Sequence, residues 1–220
     1  LSEKINCLGI MPCDVSDTSS LENVCNGIKG KIDFFVHAVA YSDKNELSGK
    51  YLNTTRENFL RTLHISAYSL TEMVRMLSPK MNDGASIMAL TYYGSTKYMQ
   101  SYNVMGVAKA ALETSIKYLA VDMGDRGIRV NAISAGPMRT LAGAVINKSR
   151  KIYNYTIENS PIKKPLSLTD IGKSSVYLMS DLSKGVTGEI LYVDNGYNKV
   201  GMSVQELWLE YSFFSRTVSY

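Results

Sequence analysis

Short apolar runs alternate along this chain with segments of helical periodicity, and this alternation limits the possible folds more than any other feature. The segments between the runs carry apolar residues three or four apart, which is typical of amphipathic helices. Such an order predicts an α/β fold in which helices cover both faces of a parallel sheet. The apolar runs occupy residues 5–11, 32–40, 87–90, 129–135 and 188–193.

Two of these runs carry further predictions about burial. Residues 5–11 are expected to form a short buried strand. The run 32–40, IDFFVHAVA, is nearly continuous, which is typical of a strand buried on both faces. His37 inside this run is interpreted as a core histidine rather than a metal ligand.

Capping residues predict where the helices begin. The Asp-Thr-Ser run at 17–19 is expected to cap a first helix, and Thr54 or Thr55 a long second one that Pro79 ends. A Thr-Asp pair at 169–170 is expected to cap a later helix.

Composition excludes several classes of function. The chain has 220 residues, enough for one domain with a sizeable core. A net charge of +4 is too small to indicate nucleic-acid binding. No apolar run approaches the roughly 18 residues of a membrane span, and three cysteines with two isolated histidines predict no metal site. We expect a reducing, cytoplasmic location.

The stretch 86–109 contains the most distinctive chemistry. It begins as a buried strand, turns at Gly94, and continues into a predicted helix that carries Tyr102 and Lys109. Residues seven apart lie on one helix face, and a cation near a phenol favours the phenolate. This pair is therefore a candidate for proton donation or oxyanion stabilisation. Because the chain contains 15 tyrosines, such a pair can also arise by chance.

Six motifs, taken together, identify a family. They are CDV from Cys13, VHAVAYSDKNEL from Val36, LTYYG from Leu90, YNVMGVAKAALE from Tyr102, RVNAISAGPMRTLA from Arg129 and GVTGEILYVDNGY from Gly185. Over roughly residues 5–202 the chain resembles the short-chain dehydrogenase superfamily, and within it the bacterial enoyl-acyl-carrier-protein reductases. The resemblance implies a Rossmann-like, doubly wound parallel sheet with strand order 3-2-1-4-5-6-7.

The resemblance also implies an activity, namely hydride transfer from NADH to the β-carbon of a trans-2-enoyl thioester in type II fatty acid biosynthesis. Tyr102 would stabilise the enolate, and Lys109 would bind the nicotinamide ribose and keep Tyr102 in a cationic field. Tyr92 matches an acyl-pocket tyrosine that is counted as catalytic in that family. Strand alternation points the adjacent Tyr93 to the other face.

Further residues match cofactor and substrate positions of the family. Asp14 would meet the adenine, Val15 would pack beside it, and Val39 would lie along the cofactor, NADH or NAD. Asp14 is equally suited to a turn or a cap. Ser42 matches a substrate contact. The positions that would close on the nicotinamide and pyrophosphate are Met138, Arg139, Thr140, Leu141 and Ala142.

The implied partners are acyl carrier protein and further copies of the chain. The family is usually a homotetramer, with helices such as 55–78 and 102–124 at an interface. The segment 147–165 contains five Lys or Arg against one Glu. It is either a solvated face or a docking surface for an acidic carrier protein.

The chain also departs from the family. It begins with Leu1 and lacks about fifty residues that include the glycine-rich turn, so we expect an N-terminally truncated reductase domain at 1–203 and an atypical tail at 204–220. The strand at 5–11 would then lack a partner, the sheet would have an uncovered edge, and NADH binding would be weak.

Two alternatives to the enoyl reductase remain open. One is an inactive truncated chain or a subunit that only assembles. The other is a carbonyl (3-ketoacyl) reductase of the same superfamily, which would require Tyr-x3-Lys.

Overall fold

The computed structural model describes residues 7–138, 140 and 149–202, and these residues form one four-stranded sheet with helices on both sides. The strands are β1 (Ile32–His37), β2 (Met81–Thr91), β3 (Arg129–Ala135) and β4 (Ile190–Val193). The helices are α1 (Thr18–Gly27), α2 (Arg56–Leu63), α3 (Ser69–Leu77), α4 (Val104–Asp122), α5 (Ser149–Asn159) and α6 (Leu168–Met179).

The sheet is parallel throughout, with order β1-β2-β3-β4. One core cluster joins α1, α3 and α4 to one face, and a second joins α6 to the other. The prediction of a doubly wound parallel α/β fold is therefore confirmed. Parallel strands bring their carboxyl ends to the same edge, where ligands bind in such sheets.

Two predicted helix starts are confirmed by their hydrogen bonds, and one is corrected. Asp17 caps α1 by accepting from the Ser19 N–H, and Thr55 caps α2 in the same way. The third cap is Ser167, which forms a capping box with Asp170. The prediction placed this cap at 169–170, because both residues have capping side chains. A π-helical turn, His64–Tyr68, joins α2 to α3.

Both burial predictions at the start of the chain are wrong. Of the run 5–11, residues 7–11 are described, and they are exposed and form no strand. In β1, Phe34 is 55% exposed. The physical reason is the strand order, because β1 is an edge strand and no described strand lies beyond it. The strand that was expected to lack a partner is absent from residues 7–11, and the uncovered edge of the described sheet is β1 instead.

Of the remaining strands, β2 begins at Met81, six residues before the predicted run 87–90, and the other two lie close to their predictions. β3 matches the predicted 129–135, whereas β4 begins two residues later than predicted, after Gly188 adopts a positive φ of 75°. Within the described ranges, none of the helices combines the length and apolarity needed to cross a lipid bilayer. The predicted tail 204–220 lies outside the described residues.

Candidate active site

Two tyrosine rings meet beyond the carboxyl end of β2. The Tyr92 and Tyr102 centroids are 4.9 Å apart with an interplanar angle of 71°, an edge-to-face arrangement that aromatic pairs prefer. They pack beside buried Leu47 and Met105. Tyr93 turns away and contacts the rings of Tyr192 and Tyr197, so the predicted divergence of the two adjacent tyrosines is confirmed.

Tyr102 does not lie on the helix that carries Lys109, and this prediction is wrong. The helix α4 begins at Val104, and Tyr102 occupies the turn before it. The residues on either side of Tyr102 have positive φ, 61° at Ser101 and 37° at Asn103. A positive φ at residues other than glycine is uncommon and costs free energy. Asn103 stabilises the turn by donating from Nδ2 to the Glu46 carbonyl oxygen at 2.9 Å.

Two glycines make room for the Tyr102 ring. A Cβ on Gly94 would overlap Tyr102 Cδ1, and a Cβ on Gly106 would lie 2.7 Å from the Gly94 carbonyl oxygen. Neither position can accommodate a methyl group without movement. The ring of Tyr102 is therefore placed by close contact with backbone rather than by helical geometry.

The electrostatic surroundings of Tyr102 keep its phenol protonated. Burial, followed by Tyr92 and Glu113, raises the pKa of Tyr102 well above its usual value. Burial and then Tyr197 raise the pKa of Tyr92 in the same direction. We expected the charge of Lys109 to favour the phenolate of Tyr102. Desolvation of the phenol has the larger effect on its pKa and favours the protonated form. A neutral phenol is suited to donating a hydrogen bond.

Lys109 is nearly fully buried, 6% exposed, and faces the end of β2. Its Nζ donates to the Leu90 carbonyl oxygen at 2.9 Å. Burial lowers the pKa of Lys109 to about 8, while Glu113 opposes that shift. Among the described residues Leu90 is the hydrogen-bond partner of Nζ, so two of its three N–H groups can serve a ligand.

Glu113 and Thr91 belong to the same cluster and were missed by the sequence reasoning. Glu113 is 9% exposed and accepts a hydrogen bond from Thr91 Oγ1 at 2.6 Å. It stands four residues after Lys109, a spacing that places the two side chains together on one helix face. That spacing was an available signal for a buried, charged pair.

The predicted adenine and cofactor positions are only partly brought together. Val15 is buried, and the half-buried Val39 packs against its cluster. The carboxylate of Asp14 is exposed and accepts from the N–H and hydroxyl of Ser16, as in a turn. Those hydrogen bonds lower the Asp14 pKa.

Ser42, the predicted substrate contact, lies within a polar cluster at the start of the long helix. Its Oγ is 3.3 Å from Asn58 Oδ1 and 3.0 Å from Thr62 Oγ1. Met138 packs half-buried against the α6 side of the sheet, and the Thr140 N–H donates to the Met138 carbonyl oxygen. The predicted Arg139, Leu141 and Ala142 lie outside the described residues.

Comparison with known proteins identifies close relatives along nearly the whole chain. Residues 1–198 match the family model described as enoyl-(acyl carrier protein) reductase. The enoyl-[acyl-carrier-protein] reductase [NADH] 2 of Rhizobium meliloti is 53% identical over 94% of this chain and 78% of its own. The corresponding reductase of Rickettsia typhi is 52% identical over 92% of this chain and 79% of its own.

Solved structures agree with these matches. The enoyl-(acyl-carrier-protein) reductase of Anaplasma phagocytophilum, crystallised in complex with NAD, superposes with a TM-score of 0.88 at 50% identity. That match covers 92% of this chain and 78% of the Anaplasma chain. The Bacillus cereus enzyme, in complex with NADP+ and an indole naphthyridinone, gives 0.85 at 41% identity, over 90% of this chain and 79% of its own.

Proposed function

The chain belongs to the family of enoyl-(acyl carrier protein) reductases, and from this premise we propose that it reduces the C=C bond of a trans-2-enoyl thioester with NADH. The substrate chain would arrive on acyl carrier protein, in type II fatty acid biosynthesis. One observation carries the proposal: a neutral, buried phenol and a buried ammonium lie at the carboxyl end of β2.

The described residues fit the nicotinamide-ribose part of NADH. The Lys109 ammonium has N–H groups left for the hydroxyls of the ribose, and β1 ends beside it in His37, which has an unpaired buried ring nitrogen. Bound NADH supplies the hydride. Val15 and Val39 offer apolar surface along the cofactor, and Asp14 would meet its adenine end. Thr140 and Met138, with Arg139, Leu141 and Ala142, remain proposed contacts.

Tyr102 is proposed to stabilise the negative charge that develops on the thioester oxygen. Its hydroxyl makes no hydrogen bond to the residues that the structure describes, so it is available as a donor. A preorganised donor at such an oxygen contributes about 2.7–4 kcal/mol in comparable oxyanion sites. Tyr92 supports the Tyr102 ring edge-to-face and contributes a wall of the acyl pocket, with Ser42 as a further proposed substrate contact.

Reduction of a carbonyl group is less well supported. The alternative 3-ketoacyl reductase would need a lysine four residues after Tyr102, where this chain has Gly106. A Cβ there would meet the Gly94 carbonyl oxygen at 2.7 Å. The backbone thus leaves no room for a lysine side chain at this position.

A second candidate is a subunit that assembles without binding NADH. The exposed edge strand β1 and the exposed segment around Asp14 favour it, because both belong to the proposed adenine side. NADH titration of the purified chain by calorimetry, with its mass measured by light scattering, separates the two. Assembly without heat of binding would select the second candidate.

The segment 147–165, which is rich in Lys and Arg, is proposed to bind the acyl carrier protein. Arg150, Lys151, Lys163 and Lys164 are exposed, and none of them takes part in an ion pair among the described residues. Lys148 of the same segment lies outside those residues. Reversal of charge at Arg150 and Lys151 should raise KM for carrier-bound substrate more than for a small thioester, and equal changes would refute docking.

Assembly and location complete the proposal. We propose a homotetramer in the cytoplasm, whose interfaces include the helices of 55–78 and 102–124. Apolar side chains on these helices are exposed in the single chain, among them Leu60, Tyr68, Tyr118 and Val121. Light scattering at a mass other than four chains would contradict the tetramer.

The decisive assay is NADH oxidation with a crotonyl thioester. Consumption of NADH that depends on the thioester, with butyryl thioester as the product by mass spectrometry, would support the enoyl reductase. Turnover of acetoacetyl thioester in its place would favour the carbonyl reductase. No turnover of either substrate, with NADH bound, would refute both reductase proposals.

A further inference from the structure

His37, the last residue of β1, is nearly inaccessible at 1% exposure. Its Nε2 lies 2.8 Å from Ser69 Oγ, and that hydroxyl lies 2.7 Å from the Ile65 carbonyl oxygen, to which it donates. A serine hydroxyl carries one hydrogen, so Ser69 can only accept from the imidazole. The His37 ring therefore carries its proton on Nε2, and Nδ1 presents a bare lone pair.

That lone pair has no hydrogen-bond partner among the described residues. Buried polar atoms are nearly always paired, because an unpaired one loses its hydrogen bonds to water without replacement. The interpretation of His37 as a satisfied core histidine is thus correct for one ring nitrogen and not for the other. An acceptor at this place requires a donor.

Lys109 is the cation whose charge acts on His37. His37 pairs with Ala89 in the parallel ladder, and the next residue, Leu90, accepts the hydrogen bond from Lys109 Nζ. His37 and Lys109 thus meet at the same end of the sheet. Burial, and secondly the Lys109 ammonium, lower the pKa of His37 to about 4. The ring is therefore neutral at neutral pH and remains an acceptor.

We propose that His37 is a positioning residue for Lys109, whose ammonium it holds through one water molecule bound to Nδ1. The water donates to Nδ1 and accepts from the ammonium, so it satisfies both groups. The ammonium is then fixed by Leu90 on one side and by the water on the other. Its third N–H is directed to the ligand. The effect of His37 on NADH binding rests on the proposed function, whereas the water-mediated contact between His37 and Lys109 does not.

Two substitutions separate the two ring nitrogens. In His37→Gln the side-chain amide can replace Nε2 and keep the bond to Ser69, but it has no group in place of Nδ1. In His37→Asn the amide oxygen can replace Nδ1, while the bond to Ser69 is lost. A role in packing alone predicts similar losses in both, and the positioning role predicts different ones.

Direct observation of the ring needs no cofactor. Nitrogen-15 spectra of the imidazoles distinguish the two tautomers, and they show whether Nδ1 accepts a hydrogen bond. The chain has two histidines, so His64→Gln assigns the signals of His37. In the unliganded wild-type chain we expect the Nε2–H tautomer with a hydrogen-bonded Nδ1. In Lys109→Met the Nδ1 signal should shift towards that of an unbonded nitrogen.

Binding completes the test. We expect His37→Gln to raise the Kd for NADH about tenfold, as for loss of one hydrogen bond to a charged group, and His37→Asn to raise it less than about threefold. Equal losses, or an Nδ1 signal that is the same in wild type and Lys109→Met, would overturn the inference. If the wild-type chain does not bind NADH, the proposed function fails, and the spectra alone decide the contact.

Discussion

Tyr102 and Lys109 stand seven residues apart and are both buried, yet different forces place them. Tyr102 sits in a turn with positive φ on both sides, against two glycines and the Tyr92 ring. Lys109 sits on a regular helix, donates to the Leu90 carbonyl oxygen, and is under the electrostatic influence of Glu113. The phenol is thus positioned by the space around it and the ammonium by hydrogen bonds and charge. Substitutions should therefore affect the two sites through different measurements.

The largest effect is expected at the phenol itself. Tyr102→Phe keeps the ring and its contacts but removes the donor, so kcat for crotonyl thioester should fall about 10²–10³-fold. Steady-state NADH oxidation measures the change. Tyr93→Phe is the matched control, because that ring faces Tyr192 and Tyr197 instead. A similar fall in both variants would mean that Tyr102 has no special role.

Space around the phenol is tested next. In Gly94→Ala the new methyl group would meet the Tyr102 ring, and a displacement of about 1 Å can lower kcat by 10–100-fold. Gly124→Ala is the control, since no heavy atom lies within 4 Å of its added Cβ. Unchanged kcat in Gly94→Ala would show that the ring can move aside without cost.

The polar side of the site should respond to pH. The pKa of His37 is lowered to about 4 in the folded chain. At a pH below about 6.5, the ordinary pKa of histidine, the imidazole therefore binds a proton more readily in the unfolded chain than in the folded one. Stability therefore falls as pH falls from about 6.5 towards 4, by about 2 kcal/mol at pH 5. Urea unfolding of the wild type and of His37→Gln measures this.

His37→Gln should lose the part of the pH dependence of stability that His37 causes. His64→Gln serves as the control for loss of a histidine elsewhere on the chain. If His37→Gln keeps the full acid slope, the imidazole is not responsible for it.

The smallest effect is expected on the free energy of unfolding when the Lys109 ammonium is removed. Burial lowers the pKa of Lys109 to about 8, so the folded chain releases this proton at a lower pH than the unfolded chain, and wild-type stability should rise with pH between about 8 and 10.5. Lys109→Met removes the buried charge and should raise the free energy of unfolding by about 1–2 kcal/mol at pH 7. Lys117→Met, on the exposed face of α4, is the control.

The same variant should lose NADH affinity, so stability and binding would move in opposite directions. Calorimetry and urea unfolding of one preparation test this. A less stable Lys109→Met would show that the contacts of Lys109 outweigh the cost of burying its charge.

Prediction from sequence succeeded where neighbouring residues determine the structure. Asp17 and Thr55 cap helices because their side chains reach an N–H within the next turn. The period of the apolar residues sufficed for the doubly wound sheet. The motifs around Tyr102 and Lys109 also pointed to the carboxyl end of β2, which is where the structure brings both side chains.

Prediction from sequence failed where residues distant in the chain determine the local structure. The exposure of Phe34 depends on which strand lies at the edge of the sheet, which the composition of β1 cannot reveal. The turn at Tyr102 requires positive φ at Ser101 and Asn103, neither of which is glycine. The protonated phenol follows from burial that no spacing rule contains.

In the part of the chain that the structure describes, the edge of β1 is open, and this has a consequence for how the chain behaves with other polypeptides. Its backbone N–H and C=O groups form a row that an added strand can extend, and Phe34 and Val36 offer apolar side chains beside it. A peptide that pairs there binds the folded chain and so raises its free energy of unfolding. At a peptide concentration of a hundred times its Kd, the increase would be about 2.7 kcal/mol. The melting temperature of this chain should therefore depend on which extended peptides share its solution.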